Sequence, residues 1–360
     1  MFTADDHRHM AEALRLAERG RCTTTPNPRV GCVILCGGEV VGRGWHERAG
    51  GPHAEVAALA QVGNRAEGAE LYLNLEPCAH HGRTPPCAEA LVWAGVRRVV
   101  AAMQDPNPLV AGKGFEILRA AGIEVQSGLM EAEAREINIG FVSRMTRGRP
   151  WVRLKLAASL DGRTALQNGR SQWITGEAAR RDSHRLRAEA CAVLTGIGTV
   201  RDDDPRLTVR HVETSRQPLR VVVDSRLETP PGAKLLEGGA LVFCALEDAA
   251  RSSALRERGA EVVVVPDAGG KVDLAAMMQE LGRRGLNEVL VEAGFKLNGS
   301  LLAAGLVDEL VIYLAPHLLG DSARGMFHLP ALEDLVGRRE LAIRDLRQVG
   351  TDLRIVARLA

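Results

Sequence analysis

Two α/β domains in series are the fold class the sequence predicts, and three observations carry that prediction. The chain has 360 residues, more than twice the roughly 150 of a common domain. Apolar, β-rich runs alternate with helix-period segments through most of its length, the pattern of layered α/β folds. A polar, basic stretch that ends in proline, SRMTRGRP at 143–150, interrupts the alternation and reads as a linker. The division falls near residue 147, giving domains over 1–146 and 147–360.

The first domain opens on a helix over 5–19, with Met10, Ala13, Leu14 and Ala17 on one face. Thr3 and Asp6 form a capping-box pattern, and Gly20 is a stop. VGCVIL (30–35) is a buried strand, and Gly37-Gly38 turns it into EVVGRGW (39–45), a hairpin. A helix starts at His53. Strand 71–75, a Cys/Pro-rich loop, helix 87–94, strand 97–103, helix 114–121 and strand 123–127 follow. In the second domain, strands are expected at 151–159, 190–196, 219–225, 240–245, 261–266, 287–294 and 308–316. Helices are expected near 176–189, 272–284 and 297–304. Such short, β-rich runs suit buried strands of a mostly parallel sheet.

Composition excludes several classes of function. Lys and Arg total 46 against 45 Asp and Glu, a net charge of +1, without the basic excess of a nucleic-acid coat. Aromatic residues are 3%, few for base-stacking platforms. No apolar run approaches the roughly 18 residues of a membrane span. MFTADDHRHM has early acids and no apolar h-region, so no secretory signal is expected and a cytoplasmic location is. Seven cysteines, an odd number, point to thiolate chemistry or metal binding rather than a disulfide framework.

The sharpest chemical pattern is His53-Ala54-Glu55, followed by Glu76-Pro77-Cys78 and then Cys87. One imidazole and two thiolates suit Zn²⁺ and leave a fourth position for water, which the metal makes acidic. Glu55 is the proton carrier beside it. Residues at i and i+2 diverge within a helix, so His53 and Glu55 share a site only from its first turn. Pro85-Pro86 before Cys87 marks a second helix start, where a thiolate is favoured. Two helix starts converging on a metal are therefore expected. A closed structural zinc site and an unmetallated buried cysteine pair fit the same three side chains. The C-x8-C spacing of the cysteines departs from the C-x2-C of common zinc deaminases.

PNPRVGCV (26–33), GPHAEVAAL (51–59), EPCAHHGRTPPC (76–87) and DPNPLVAGKG (105–114) resemble the deaminase domain of the bifunctional riboflavin-biosynthesis deaminase/reductases. In that family the long Cys–Cys loop is the rule. The resemblance continues through KLAASLDGRTA (155–165), SQWITG (171–176), RRDSHRLRA (180–188), GIGTVRDDDPRLTVR (196–210), VEAG (291–294) and LVDELVIYLAP (306–316). It implies a cytidine-deaminase-like α/β/α domain followed by a dihydrofolate-reductase-like α/β domain. It also implies zinc-dependent hydrolysis of the 2-amino group of 2,5-diamino-6-(5-phosphoribosylamino)pyrimidin-4-one. NADPH-dependent reduction of the ribosyl group to ribityl would follow. Zinc would be held by His53, Cys78 and Cys87, and Glu55 would be catalytic. Asn27, His46, His80 and Arg83 match the deaminase pocket, with Asn27 and His80 on the pyrimidine and Arg83 toward the phosphate.

For the second domain no strand-GxGxxG-helix fingerprint appears, so a Rossmann reading fails. The loop after strand 287–294 leads into a helix beginning near Leu297, whose backbone N–H groups suit a pyrophosphate; a tight strand–helix turn with no ligand fits the same residues. The resemblance assigns cofactor contact to Gly294, Phe295, Lys296, Leu297, Asn298, Gly299 and Ser300, and to Ala157, Trp173, Thr199, Asp203 and Ser225. Arg226, beside Ser225, is a further candidate for the 2′-phosphate. Ser171, Arg187, Leu207, Arg210 and Glu292 match the substrate pocket, the arginines suiting a ribose phosphate. Asp203 and Glu292 are candidate acids near hydride transfer.

The expected partners are small phosphoribosylated pyrimidines, with neither nucleic acid nor membrane, and the resemblance implies a homo-oligomer. The competing enzyme reading is a nucleobase deaminase with a non-catalytic nucleotide-binding C-terminal domain. A zinc-stapled binding module is the non-enzymatic one, and it has no use for Glu55. Cys22, Cys32, Cys36, Cys191 and Cys244 read as packing thiols. His7, His9, His184, His211, His317 and His328 show no ligand pattern.

Overall fold

The computed structural model describes residues 1–79 and 85–359. The chain forms two compact units, Met1–Gly148 and Arg149–Ala360. In the first, helix α1 (Ala4–Glu18) precedes strands β1 (Gly31–Cys36) and β2 (Glu39–Trp45). Helix α2 (Ala54–Val62), β3 (Glu70–Leu73), α3 (Cys87–Trp93), β4 (Arg98–Ala101), α4 (Lys113–Ala120), β5 (Glu124–Ser127), α5 (Glu131–Ile137) and α6 (Ile139–Arg147) follow. The strands form one sheet in the order β2-β1-β3-β4-β5. Pairs β2–β1 and β1–β3 are antiparallel; β3–β4 and β4–β5 are parallel.

Period-two alternation sorts the side chains of this sheet onto two faces. Val33, Leu35, Tyr72 and Val100 pack with Met10, Leu14 and Ala17 of α1 and Ala134 of α5. Cys32, Ile34, Leu71, Leu73 and Val99 pack with Ala58 of α2, Leu91 of α3 and Leu118 of α4. The unit is thus an α/β/α sandwich. Thr3 caps α1 in the expected box, its side chain accepting the Asp6 N–H while Asp6 accepts the Thr3 N–H. Gly44 brings β2 close to α2: a Cβ there would lie 2.1 Å from the Ala54 carbonyl oxygen. That approach sets the position of the helix start that carries His53 and Glu55.

The linker expected at 143–150 is a correction. Helix α6 runs through Arg147 and ends where Gly148 takes φ 68°. The basic residues of 144–147 mostly form the outer face of an amphipathic last turn, with Phe141 and Ser143 buried beneath. Composition reads such a turn as loop because its polar side dominates locally.

The second unit contains β6 (Trp151–Ser159), β7 (Arg163–Ala165), α7 (Glu177–Glu189), β8 (Ala192–Gly196), α8 (Ile197–Asp203), β9 (Leu219–Val223), β10 (Ala240–Cys244) and α9 (Ala249–Arg256). Then come β11 (Ala260–Val264), α10 (Leu274–Arg283), β12 (Glu288–Val291), α11 (Phe295–Ala303), β13 (Glu309–Ala315), β14 (Arg324–Gly325), β15 (Leu341–Val349) and β16 (Asp352–Leu359). Nine strands form one sheet in the order β11-β10-β9-β8-β12-β6-β13-β16-β15. From β11 to β13 every neighbouring pair is parallel, and the C-terminal hairpin adds antiparallel β16 and β15. Val152, Leu154, Leu194 and Phe243 pack with α10 and α11 on one face. Val222 and Val242 pack with Leu255 of α9 on the other, and Tyr313 packs with Ala179 of α7. Helix α11 starts at Phe295, two residues before the expected Leu297, because Gly294 serves as its N-cap. Among the described residues no helix is long and apolar enough to cross a membrane.

Candidate active sites

In the first unit two helix starts do converge. His53 is the N-cap of α2, in extended conformation, and Glu55 lies in its first turn. Pro86 is the N-cap of α3, and Cys87 is its first residue. Cys78 follows β3 and is tied to that start, its Sγ accepting the Cys87 N–H at 3.2 Å. The His53 Nδ1 lies 3.3 Å from the Cys87 Sγ and 3.6 Å from the Cys78 Sγ. All three donor atoms fall within 4.8 Å of one another. Tetrahedral zinc, with bonds of about 2.3 Å to sulfur and 2.0 Å to nitrogen, places neighbouring donors roughly 3.5 Å apart. One imidazole and two thiols at these separations fit that ion.

The electrostatics of the cluster follow from its contacts. Cys78 accepts from the Cys87 thiol, from His53 and from a backbone N–H, and these hold it well below the ordinary thiol range. Cys87, the donor to Cys78, is pushed up, and burial adds to this. The hydrogen bond with Cys78 raises His53. Glu55 is 3% exposed. Burial raises its carboxyl above the ordinary value, and the charge of Cys78 adds to the shift. Such a carboxyl is suited to carrying protons near neutral pH.

Beside the cluster, the Asn27 Nδ2 donates to the His46 Nε2 at 3.0 Å. The His46 Nδ1 donates to the Pro52 carbonyl oxygen at 2.8 Å. Burial holds His46 below its ordinary value, consistent with a neutral ring using both nitrogens in this way. Its ring meets His53 edge-on at 5.4 Å. His80 and Arg83 lie outside the described residues.

The second unit holds a cleft of about 1410 Å³ near the carboxyl ends of β6, β8, β9 and β12. It is lined by Ala157, Ser171, Trp173, Arg187, Thr199, Asp203, Leu207, Arg210 and Glu292, together with Gly294 through Leu297. Ser225, Asn298, Gly299 and Ser300 do not line it. The Ser225 Oγ accepts the Val272 N–H, and the Asn298 Nδ2 donates to the Ala293 carbonyl oxygen. The Ser300 Oγ donates to the Lys296 carbonyl oxygen. A Cβ on Gly299 would sit 2.0 Å from the His328 carbonyl oxygen, so this glycine permits a backbone contact. Arg226 is exposed outside the cleft lining.

Comparison with known proteins gives the architecture a family. The family model described as “Cytidine and deoxycytidylate deaminase zinc-binding region” matches residues 3–103. “RibD C-terminal domain” matches residues 150–355. The chain is 50% identical over 361 residues to Riboflavin biosynthesis protein RibD of Escherichia coli K12, covering 97% of this chain and 98% of that one. The chain belongs to the RibD family. RibD of Haemophilus influenzae is 47% identical, over 98% of this chain and 97% of its own. Among solved structures, Acinetobacter baumannii RibD superimposes with a TM-score of 0.93 at 45% identity, covering 99% of both chains. A Thermotoga maritima diaminohydroxyphosphoribosylaminopyrimidine deaminase/5-amino-6-(5-phosphoribosylamino)uracil reductase gives 0.85 at 30% identity, again over 99% of both.

Within this RibD-family cleft, the Arg187 Nε and Nη2 donate to the two Glu292 oxygens at 2.6 and 2.9 Å. Burial alone would raise Glu292, but Arg187 first and Lys155 next hold it down at about 2. It is therefore a carboxylate at neutral pH. Asp203 differs: desolvation raises it, and Asp202 adds to the shift. Sequence reading missed Lys155, His184 and His211, which all line the cleft. Lys155 lies on β6, where Val291 of β12 pairs with Leu154, so the next position brings it beside Glu292. Sheet register carries that signal, and one-dimensional spacing does not.

Proposed function

We propose that the chain is a bifunctional enzyme of riboflavin biosynthesis, a zinc-dependent hydrolase and an NADPH-dependent oxidoreductase. The first unit would hydrolyse the 2-amino group of 2,5-diamino-6-(5-phosphoribosylamino)pyrimidin-4-one to a carbonyl and ammonia. The second would reduce the ribosyl group of the product to ribityl. The observation that carries this reading is the His53/Cys78/Cys87 cluster with buried Glu55 beside it, on a chain that matches RibD proteins end to end.

His53, Cys78 and Cys87 would hold the zinc. The metal supplies Lewis acidity that turns water into a nucleophile at neutral pH. Glu55 would move two protons in turn: the first from the attacking water to the ring nitrogen, the second from the hydroxyl left on the ring carbon to the departing amino group, so that a carbonyl forms as the carbon–nitrogen bond breaks and ammonia leaves. Asn27 gives its Nδ2 to His46, which leaves its Oδ1 to accept from the pyrimidine.

In the second unit the cofactor supplies a hydride. Phe295 to Leu297, the first residues of α11, line the cleft, and backbone N–H groups at a helix start suit its pyrophosphate. Arg187 is committed to Glu292 and to the Thr208 carbonyl oxygen. Arg210, exposed and on the cleft lining, is then the cation for the substrate phosphate, with Ser171. Glu292 positions, and the raised carboxyl of Asp203 is the proton donor that accompanies hydride transfer. The reading includes a cytoplasmic homo-oligomer acting on small molecules.

The test is to measure zinc content, ammonia release from the diamino substrate and NADPH oxidation with the deaminated product on one purified sample. The expected result is one zinc per chain and both activities. Ammonia release without NADPH oxidation would leave a deaminase with an inert second unit and overturn the reading.

A further inference from the structure

We propose that His184 is a positioning residue of the reductase site, holding the segment that aims the Arg210 guanidinium at the phosphate of a phosphorylated substrate. The inference rests on the reading of the cleft as a reductase site.

The segment from Leu207 to His211 has no secondary structure of its own. It begins at Leu207, which is buried with φ 52°, a left-handed conformation that a leucine keeps only where its surroundings hold it. Three side chains supply that hold. Gln217 brackets Val209, accepting its N–H at 2.7 Å and donating to its carbonyl oxygen at 3.2 Å. The Arg187 Nη1 donates to the Thr208 carbonyl oxygen at 2.9 Å. The His184 Nδ1 accepts the Arg210 N–H at 3.1 Å. His184 and Arg187 lie three residues apart on α7 and so share one face. Two turns of one helix therefore pin two consecutive peptide units of the segment.

The hydrogen bond at Arg210 matters most, because it fixes the backbone from which the cleft-lining guanidinium extends. That guanidinium also donates to the Thr208 Oγ1 at 3.2 Å, within the same pinned stretch. His184 is 5% exposed, and its ring meets His211 edge-on at 4.5 Å. The hydrogen bond requires the Nδ1 to be unprotonated. The groups facing the ring are Arg187 from its own helix, Arg210 and His211 from the segment, and Glu292 from the end of β12. Burial, followed by the two guanidiniums and His211, outweighs Glu292 and holds the ring down at about 4. At neutral pH it is a neutral acceptor.

The test compares His184→Leu, which has no acceptor, with His184→Asn, whose Oδ1 can take the place of the Nδ1. Full-length variants are assayed for NADPH oxidation with 5-amino-6-(5-phosphoribosylamino)uracil. NADPH binding, followed by fluorescence, checks that the second unit is folded. Loss of one buried hydrogen bond and the disorder it releases should raise KM about tenfold in H184L, with kcat within about twofold. H184N should restore KM. Adding H184L to R210A should leave KM at the R210A value, because His184 acts through Arg210. If H184L does not bind NADPH, His184→Phe, which keeps a ring against His211 without an acceptor, carries the same comparison. An unchanged KM in H184L, no rescue by H184N, or multiplying effects in the double variant would overturn the proposal. Wild-type protein that does not oxidise NADPH with this substrate would instead overturn the reductase reading, and this inference with it.

Discussion

Glu292 ties stability to the chemistry of the second site. Its carboxylate and Arg187 are 14% and 12% exposed, and removing one partner of so buried a pair leaves a charge without compensation. Glu292→Gln should destabilise the second unit by about 3 kcal/mol at pH 7. The pair also sets a pH dependence. Glu292 is held at about 2 against an ordinary 4.5. Its contribution is therefore complete above the ordinary value and is lost as pH falls through the folded one. Denaturant unfolding at pH 5.5 and at pH 3 should show a larger loss on acidification for wild type than for E292Q; equal losses would refute the assignment. At this scale the sequence exposes what clusters locally. His53, Glu55, Cys78 and Cys87 stand out because proline and helix-start positions frame them. Lys155 and His184 do not, because what gives them meaning is the register of β12 on β6 and the face α7 turns to a distant segment.

At the scale of elements, strands of the parallel sheet are the most legible. β6 spans Trp151–Ser159, the range read from WVRLKLAAS, and the α1 cap forms as Thr3 and Asp6 indicate. The C-terminal hairpin is the opposite case. In β15 the apolar residues Leu341 and Ile343 follow period two, but the register with β16 shifts between Ile343 and Asp345. That bulge breaks the alternation, so Leu346 and Val349 no longer fit a strand pattern. The close packing of β2 on α2 supports an element-scale prediction. Gly44→Ala puts a methyl 2.1 Å from the Ala54 carbonyl oxygen and 2.6 Å from the Ala58 N, so the helix must move. Overpacking of this kind costs about 1–3 kcal/mol, and the shift falls on the helix whose start bears His53 and Glu55. G44A should unfold at lower denaturant and bind zinc more weakly in competition with a chelator. Wild-type zinc affinity in G44A would show that α2 placement does not govern the site.

For the whole molecule, 360 residues divide into two units, each with its own sheet and core. Net charge near zero holds for the chain as a whole, yet it conceals local arrangements: two thiols and a carboxyl around one imidazole, and on the cleft guanidiniums among several carboxyl groups, with Arg187 paired to Glu292. Neither is visible in composition, and both are ordinary consequences of where helix starts and strand ends fall in α/β folds. The central claim is that two separate chemistries reside in the two units of one chain. Glu55→Gln tests it most directly, since Glu55 is not among the three clustered donors. The variant should keep its zinc, lose ammonia release by at least a hundredfold, as expected for removal of a general acid–base, and oxidise NADPH with the deaminated substrate at the wild-type rate. Loss of both activities together, or retention of ammonia release, would contradict the account.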